Sequence, residues 1–189
     1  MQVLPTTDFL QNADWTFPVP IAYGPGRFDE LPEHCQRLNL KNPLIVTDRG
    51  TVSLTFVSGA TDLLAQAGIA STIFHNISQN PTESDVRNAL FAYRSGSHDG
   101  VIAIGGGSGM DAGKATALLA GSRHELWAHA FEKVPPKLDP SDKFPTLICI
   151  PTTSGTGAET ESTAMITHLD RGMKLCVWHP LLKPQLAIL

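Results

Sequence analysis

The chain has few cysteines, few aromatic residues and no excess of positive charge, and each shortage excludes a class of protein. Three cysteines in 189 residues, widely spaced, are too few for a disulfide framework. Cys149 lies within an apolar run and is expected to be a buried small hydrophobic residue. Lys and Arg total 14 against 18 Asp and Glu, a net charge of −4, so a nucleic-acid partner is not predicted. The default expectation is a reducing, cytoplasmic setting.

Long hydrophobic runs are also missing. No stretch approaches the roughly 18 consecutive apolar residues of a membrane-spanning helix, so no membrane partner is expected. The N-terminal segment contains Asp8 and Asp14 but no basic residue and no apolar core, which argues against a signal peptide. What the chain has in quantity is 16 Gly and 14 Pro. These interrupt short apolar runs, a pattern typical of alternating strands and helices.

Four apolar runs are predicted as strands, and helical spacing of apolar residues predicts the segments between them as helices. The strands are predicted at 43–47, 69–74, 101–104 and 146–150, and the helices at 28–40, 54–67, 81–93 and about 111–120. Residues 164–178 have the spacing of a β-hairpin. The pattern predicts an α/β fold, a mostly parallel sheet with flanking helices (a Rossmann-like dinucleotide-binding domain) plus that hairpin, as one domain over residues 1–189.

A glycine-rich segment follows the third predicted strand, at the edge of the sheet where ligands of parallel sheets bind. Residues 105–114 read Gly-Gly-Gly-Ser-Gly-Met-Asp-Ala-Gly-Lys. Glycines let backbone amides approach an anion, and the following helix adds the positive end of its dipole. Ser108 supplies a hydroxyl donor, Asp111 is expected in the first helical turn, and Lys114 either approaches a phosphate or projects from the helix. A pyrophosphate is the expected occupant; the alternative is a tight turn that only needs glycine.

Two better-known phosphate motifs do not account for this segment. A P-loop requires glycine and Ser or Thr where the chain has Ser108 and Ala115. Residues 107–112 do match the dinucleotide fingerprint. They follow the third strand rather than the first, however, and no strand-end acid comes about 20 residues later. We interpret that match as coincidental.

Two further polar segments follow predicted strands. Residues 151–159 read Pro-Thr-Thr-Ser-Gly-Thr-Gly-Ala-Glu, a loop rich in hydroxyl donors; the alternative is a polar turn that caps a helix, with Glu159 in its first turn. Asp48 could accept hydrogen bonds from a ribose and repel a 2′-phosphate. Its alternative is a turn-initiating Asp before Arg49 and Gly50.

Together, Gly-Gly-Gly-Ser-x-x-Asp-x-x-Lys at 105–114 and Pro-Thr-Thr-x-Gly-Thr-Gly-x-Glu at 151–159 resemble the iron-containing (group III) alcohol dehydrogenases. The resemblance extends over almost the whole chain, and Ala158 departs from the serine usual in the family. It implies an N-terminal α/β domain that binds a nicotinamide cofactor, NAD, and a helical C-terminal domain that binds Fe²⁺ or Zn²⁺. The substrate would be a small alcohol or aldehyde.

The resemblance also implies which residues contact the cofactor. The glycines and Ser108 would bind the pyrophosphate, the motif's Asp and Lys would support that loop, and the threonines would line the groove near the adenosine half. Lys174 would reach the ribose on the nicotinamide side, Asn80 would lie near the cleft, and Asp48 matches the position associated with choosing NAD over NADP. The full set is Asp48, Asn80, Gly106, Gly107, Ser108, Asp111, Lys114, Thr152, Thr153, Thr156 and Lys174.

The metal ligands of the family, one Asp and three His, have no counterpart in this chain. The seven histidines are scattered; the one close pair, His124 and His129, is five residues apart, and surface or loop roles are expected for all of them. No metal ligand and no catalytic residue is therefore predicted here. We interpret the chain as the cofactor-binding portion of a longer dehydrogenase, with exposed apolar surface that favours a homo-oligomer. The alternatives are a member resembling glycerol dehydrogenase or dehydroquinate synthase, or a nucleotide-binding module without catalysis.

Overall fold

A computed structural model describes residues 12–16 and 18–189. Within them the chain forms one seven-stranded sheet and one separate hairpin. The strands of the sheet are β1 (Ala13–Trp15), β2 (Ile21–Tyr23), β3 (Leu44–Asp48), β4 (Thr72–Ile77), β5 (Gly100–Gly105), β6 (Thr146–Pro151) and β9 (Leu186–Ile188). The hairpin is β7 (Thr163–His168) and β8 (Met173–Trp178). The helices are α1 (Leu31–Arg37), α2 (Thr55–Gln66), α3 (Glu83–Ser95) and α4 (Gly107–Gly121).

The sheet has the order β1-β2-β9-β6-β5-β3-β4, and every neighbouring pair except β1 with β2 is parallel. The predicted α/β fold with a mostly parallel sheet and a hairpin is therefore confirmed. Strand β5 lies inside the sheet, between β6 and β3, and is buried along its whole length, as expected for a strand covered on both faces. The carboxyl ends of β3, β5 and β6 meet at one edge, so the polar segments that follow them are neighbours.

Helices cover both faces of the sheet. Alternate residues of each strand point to opposite faces, so Ile102 and Ile104 pack with α1 and α2, whereas Val101 and Ala103 pack with α3 and α4. Cys149 is fully buried on the α3–α4 side, as predicted. Along the stretches that the structure describes, no helix is long and apolar enough to cross a membrane.

The prediction of a second strand at 69–74 was wrong in its bounds. Gly68 adopts φ +73°, and the amides of Gly68 and Ile69 bond to the carbonyls of Ala65 and Leu64. These two hydrogen bonds close α2 with a Schellman motif, and the apolar residue after the glycine packs back on the helix. Ile69 is buried there as part of the helix end, so β4 begins later and contains His75, which was expected to follow the strand.

The glycine-rich segment is more helical than the sequence predicts. Helix α4 begins at Gly107 rather than near Asp111, which places Asp111 in the second turn and not in the first. Glycine disfavours helices, but the packing of α4 against the sheet decides the conformation. A Cβ at Gly109 would lie 3.0 Å from the carbonyl oxygen of Ile104, and one at Gly113 would lie 2.6 Å from the Cβ of Ala103. The glycines therefore permit a close helix–strand approach.

The first and third predicted helices had different outcomes. The predicted helix over 28–40 is broken into a 3₁₀ turn at Arg27–Glu30 and the shorter α1. At the start of α3, Thr82 accepts from the Asp85 amide while the Asp85 carboxylate accepts from the Thr82 amide. These two bonds form a capping box, with Asp in the place usual for Glu or Gln.

Candidate cofactor-binding site

A cleft at the carboxyl edge of the sheet is built from the segments that follow β3, β4, β5 and β6. It has a volume of about 560 Å³. Of the predicted cofactor residues it brings together Asp48, Gly106, Gly107, Ser108, Thr152 and Thr153. We call this space the glycine cleft. Residues more than 100 positions apart in the sequence thus line one cavity, as the rule for ligands of parallel sheets predicts.

The floor of the glycine cleft is the N-terminus of α4. Gly106 is the residue that precedes the helix, with φ −73° and ψ −172°, and no side chain caps the helix there. The first amides of a helix have no acceptor within it and carry the positive end of the dipole. A Cβ at Gly106 would lie 3.2 Å from Thr153 Oγ1, and one at Gly107 would lie 3.4 Å from Thr156 Cγ2. The glycines therefore keep the space beside these amides open.

Hydrogen bonds between loops fix the walls of the cleft. The Thr152 amide donates to the carbonyl of Gly105 at 2.9 Å. The Ser108 hydroxyl donates to the Gln79 carbonyl at 2.5 Å, so the expectation of a free donor at Ser108 needs correction. Its proton ties the loop after β4 to the first turn of α4. Ser108 nevertheless lines the cleft.

Asp48 is the last residue of β3 and initiates a turn. One carboxylate oxygen accepts from the amides of Gly50 and Thr51, both at 2.9 Å, and the other accepts from the Thr51 hydroxyl at 2.8 Å. The turn-initiating interpretation is therefore confirmed. A carboxylate has about four acceptor positions, so one remains for a ligand hydroxyl in the cleft that Asp48 lines. The two interpretations of this residue are compatible.

A second, smaller cavity adjoins the glycine cleft and shares Gly107 and Ser108 with it. Its volume is about 350 Å³, and its lining includes Asp111, Thr156 and Lys174. Lys174 lies on β8 with its side chain exposed. The α4 N-terminus thus lies between two cavities, as an elongated ligand with a central anionic group would require.

Asp111 lines the second cavity, whereas Lys114 lines neither cavity. Lys114 is fully buried and its ammonium donates to the Ala158 carbonyl at 2.7 Å, 4.0 Å from the Asp111 carboxylate. The Asp111 carboxylate accepts from the amide of Met165 at 3.0 Å. Burial raises the pKa of Asp111 and lowers the pKa of Lys114. Lys114 therefore does not project from the helix into solvent, which was one of the two roles left open for it. The pair ties α4 to the 151–159 loop and to β7.

Replacement of Lys114 tests this supporting role. We expect Lys114→Ala to lower the free energy of unfolding by about 2–4 kcal/mol, because it leaves a cavity and an unpaired buried carbonyl. Lys114→Met keeps the packed stem and removes a buried charge, so its cost should be smaller. Urea unfolding with Lys143→Ala as the control measures both. Equal midpoints for Lys114→Ala and the control would contradict the role.

Some predicted residues do not line the glycine cleft, and several residues that were not predicted do. Asn80 is exposed and does not line the glycine cleft, whereas its neighbours Ser78 and Gln79 do. Arg49 lines the cleft too, and its guanidinium donates to Asn76. Only their position just after a strand could have indicated from the sequence that these residues line the cleft. No helix follows the 151–159 loop before β7, so the alternative of a helix-capping turn is wrong.

Four histidines are buried: His34, His98, His129 and His179. The expectation of surface or loop roles is wrong for His34, in α1, and His129, in a 3₁₀ turn, whereas the other two lie in loops. The ring of His129 lies 6.2 Å from that of His124 and 5.6 Å from that of His179, centroid to centroid. Even so, no group of three or more His, Cys, Asp or Glu side chains among the described residues is arranged to hold a metal ion. The described side chains thus do not fit the metal that the resemblance implies.

Comparison with known proteins identifies the family. A family model for iron-containing alcohol dehydrogenase matches residues 18–189. The chain is 40% identical over 161 residues to a 4-hydroxybutyrate dehydrogenase of Cupriavidus necator, covering 84% of this chain and 41% of that protein. It is 32% identical over 176 residues to a choline dehydrogenase of Bacillus subtilis, covering 92% of this chain and 43% of the relative.

Solved structures give the same result. A 1,3-propanediol oxidoreductase superposes with a TM-score of 0.81 at 27% identity, over 95% of this chain and 45% of that one. A sulfoacetaldehyde reductase from Bifidobacterium kashiwanohense, solved in complex with NAD⁺, superposes with a TM-score of 0.76 at 29% identity, over 94% and 45%. The chain spans less than half the length of these relatives. It belongs to the iron-containing alcohol dehydrogenase family.

Proposed function

We propose that this chain binds NAD in the glycine cleft and supplies the cofactor half of an alcohol dehydrogenase. The observation that carries the proposal is the uncapped N-terminus of α4, which begins at Gly107 between two cavities. Backbone amides there would bind the pyrophosphate. The adenosine half would lie toward Asp48 and Thr152, and the nicotinamide half toward Lys174.

The whole protein would transfer hydride between a small alcohol and NAD. The relative at 40% identity is a 4-hydroxybutyrate dehydrogenase, so 4-hydroxybutyrate with NAD is the substrate pair to assay first. The family's metal would polarise the substrate oxygen. Because no described cluster in this chain fits a metal, its ligands would lie in a helical domain outside this chain. Self-association of the chain stays a prediction.

Two other functions are compatible with the same fold. A protein resembling glycerol dehydrogenase or dehydroquinate synthase would share the cofactor half and differ in the residues that hold metal and substrate. A nucleotide-binding module would bind NAD and lack catalysis. An assay of the intact protein with Fe²⁺ or Zn²⁺ separates these functions: NADH formation with 4-hydroxybutyrate supports the proposed dehydrogenase, NADH formation with glycerol alone supports the first alternative, and NAD binding without turnover supports the module.

Asp48→Asn tests the orientation of the cofactor. The amide oxygen can still accept from Gly50 and Thr51, but the negative charge that would repel a 2′-phosphate is gone. We expect the ratio of the NAD and NADP dissociation constants to shift toward NADP by about tenfold, as measured by calorimetry.

Asp62→Asn, on the exposed face of α2, is the matched control and should leave the ratio unchanged. If Asp48→Asn keeps the original preference between NAD and NADP, Asp48 only stabilises its turn and does not select the cofactor.

A further inference from the structure

A large cavity lies at the opposite end of α4 from the glycine cleft. It is bounded by α3, the last turn of α4 and the segment that follows α4, and its volume is about 670 Å³. It shares no lining residue with the glycine cleft or its neighbour. Three arginines from two separate parts of the chain line it: Arg87, Arg94 and Arg123. We call it the arginine cavity.

Two of these arginines have few protein acceptors among the described residues. The acid that pairs with Arg87 is Glu125, at 3.9 Å, and Arg94 donates one long bond of 3.4 Å to the Leu119 carbonyl. By contrast, Arg27 contacts two carboxylates, at 2.8 and 2.7 Å. A guanidinium carries five N–H donors, so most donors of Arg87 and Arg94 are available to a ligand.

The lining of the cavity has a net positive charge, because three arginines stand against one carboxylate, that of Glu125. Arg123 is held by Asp142 at 2.9 Å and lies 3.7 Å from Asp139, so its charge is largely balanced and its position is fixed. Glu125 has 87% of its side chain exposed and contacts Arg87 only at long range. It can turn toward solvent at little cost, since exposed ion pairs contribute little.

One wall of the cavity is apolar and rigid. Leu90 lies between the two arginines on the same face of α3, and Leu119 faces it from α4. Trp127 completes the wall: its ring stacks on His168 with centroids 4.6 Å apart, and its indole N–H donates to Glu83. The wall can therefore receive a flat or apolar group without rearrangement.

We propose that the arginine cavity binds an organic phosphate, with the phosphate between Arg87, Arg94 and Arg123 and its carbon body against Trp127. Guanidinium groups match phosphate oxygens with paired N–H donors. Arg87 and Arg94 would supply most of the donors, because each nitrogen of Arg123 already has a partner in Asp142, Asp139 or Ser141. This site is separate from the nucleotide-binding cleft, so its ligand is distinct from the cofactor.

Phenyl phosphate is the probe, titrated by calorimetry. A phosphate can also enter the glycine cleft, so the titration is run in the Gly107→Val background as well as in the wild type. We expect binding to persist in that background and to weaken at least about tenfold with Arg87→Gln or Arg94→Gln. Arg171→Gln, an exposed arginine on the hairpin that pairs with Glu132, is the matched control and should not change it.

Several results would overturn the site. Unchanged phenyl phosphate affinity in both Arg87→Gln and Arg94→Gln would do so. So would loss of all binding with Gly107→Val, which would place the probe in the glycine cleft. Inorganic phosphate should bind more weakly than phenyl phosphate, because it cannot contact Trp127, Leu90 or Leu119. Equal affinities would exclude an organic ligand on the apolar wall.

Discussion

Gly107→Val should weaken NAD binding by at least about a hundredfold, equivalent to about 3 kcal/mol. Gly107 is the first residue of α4 and lines both cavities. Its Cβ would lie 3.4 Å from Thr156 Cγ2, and the two methyl groups of valine extend further. They would fill the gap through which the proposed cofactor passes from one cavity to the other, next to the amides that would bind its pyrophosphate.

A matched glycine in another helix separates this effect from a general loss of helix stability. Gly59 lies within α2, and a Cβ there would meet nothing within 4 Å, so Gly59→Val should bind NAD as the wild type does. Calorimetry gives the affinities, and circular dichroism checks that both variants are folded. If the Gly107→Val protein is folded and its affinity for NAD is unchanged, NAD does not bind in the glycine cleft.

Acid should destabilise the protein through His129. Its side chain is 1% exposed and its Nδ1 has no hydrogen-bond partner among the described residues, while Nε2 lies 3.2 Å from the Ser122 hydroxyl. Burial, aided by His179 and His124, lowers the pKa of His129 to about 4 from 6.5. The folded state therefore resists protonation that the unfolded state accepts.

The direction and the pH window follow from that difference. Above pH 6.5 both states are neutral at His129 and stability is unaffected. As the pH falls below 6.5, only the unfolded chain binds the proton, so the free energy of unfolding decreases by about 2 kcal/mol by pH 5 and about 3 kcal/mol by pH 4. The penalty is constant once the pH is below the folded pKa.

Urea unfolding at pH 7 and pH 5 measures the effect in three proteins. His129→Gln keeps a partner for Ser122 and removes the titrating group. Between pH 7 and pH 5 its free energy of unfolding should therefore fall by about 2 kcal/mol less than that of the wild type. His75→Gln, on the exposed edge strand β4, should behave as the wild type does. The same pH dependence in all three proteins would contradict a buried neutral His129.

The order of elements and the place of the site could be predicted from the sequence because both depend on local patterns. Apolar runs identified the central strands, and helical periodicity identified the helices between them. The rule that ligands bind at the carboxyl ends of parallel strands then directed attention to Asp48, the glycine segment and the threonine loop. The structure brings members of these three segments into one cleft.

Element boundaries could not be predicted where packing overrides propensity. Four glycines in residues 105–109 argue locally for a loop, yet α4 begins among them because Gly109 and Gly113 allow the helix to lie against β5. Ile69 looks like a strand residue, yet it closes the Schellman motif of α2.

Contacts between distant side chains were equally inaccessible to pattern reasoning. The sequence by itself determined the fold class, the capping box of α3 and the segments that form the cleft, because each of these is encoded in neighbouring residues. Only the tertiary structure decided that the ammonium of Lys114 binds the carbonyl of Ala158, that three scattered histidines cluster, and that Arg87 and Arg94 share a cavity with Arg123. Those outcomes depend on how helices are placed on the sheet, and no local pattern in a single chain specifies that placement.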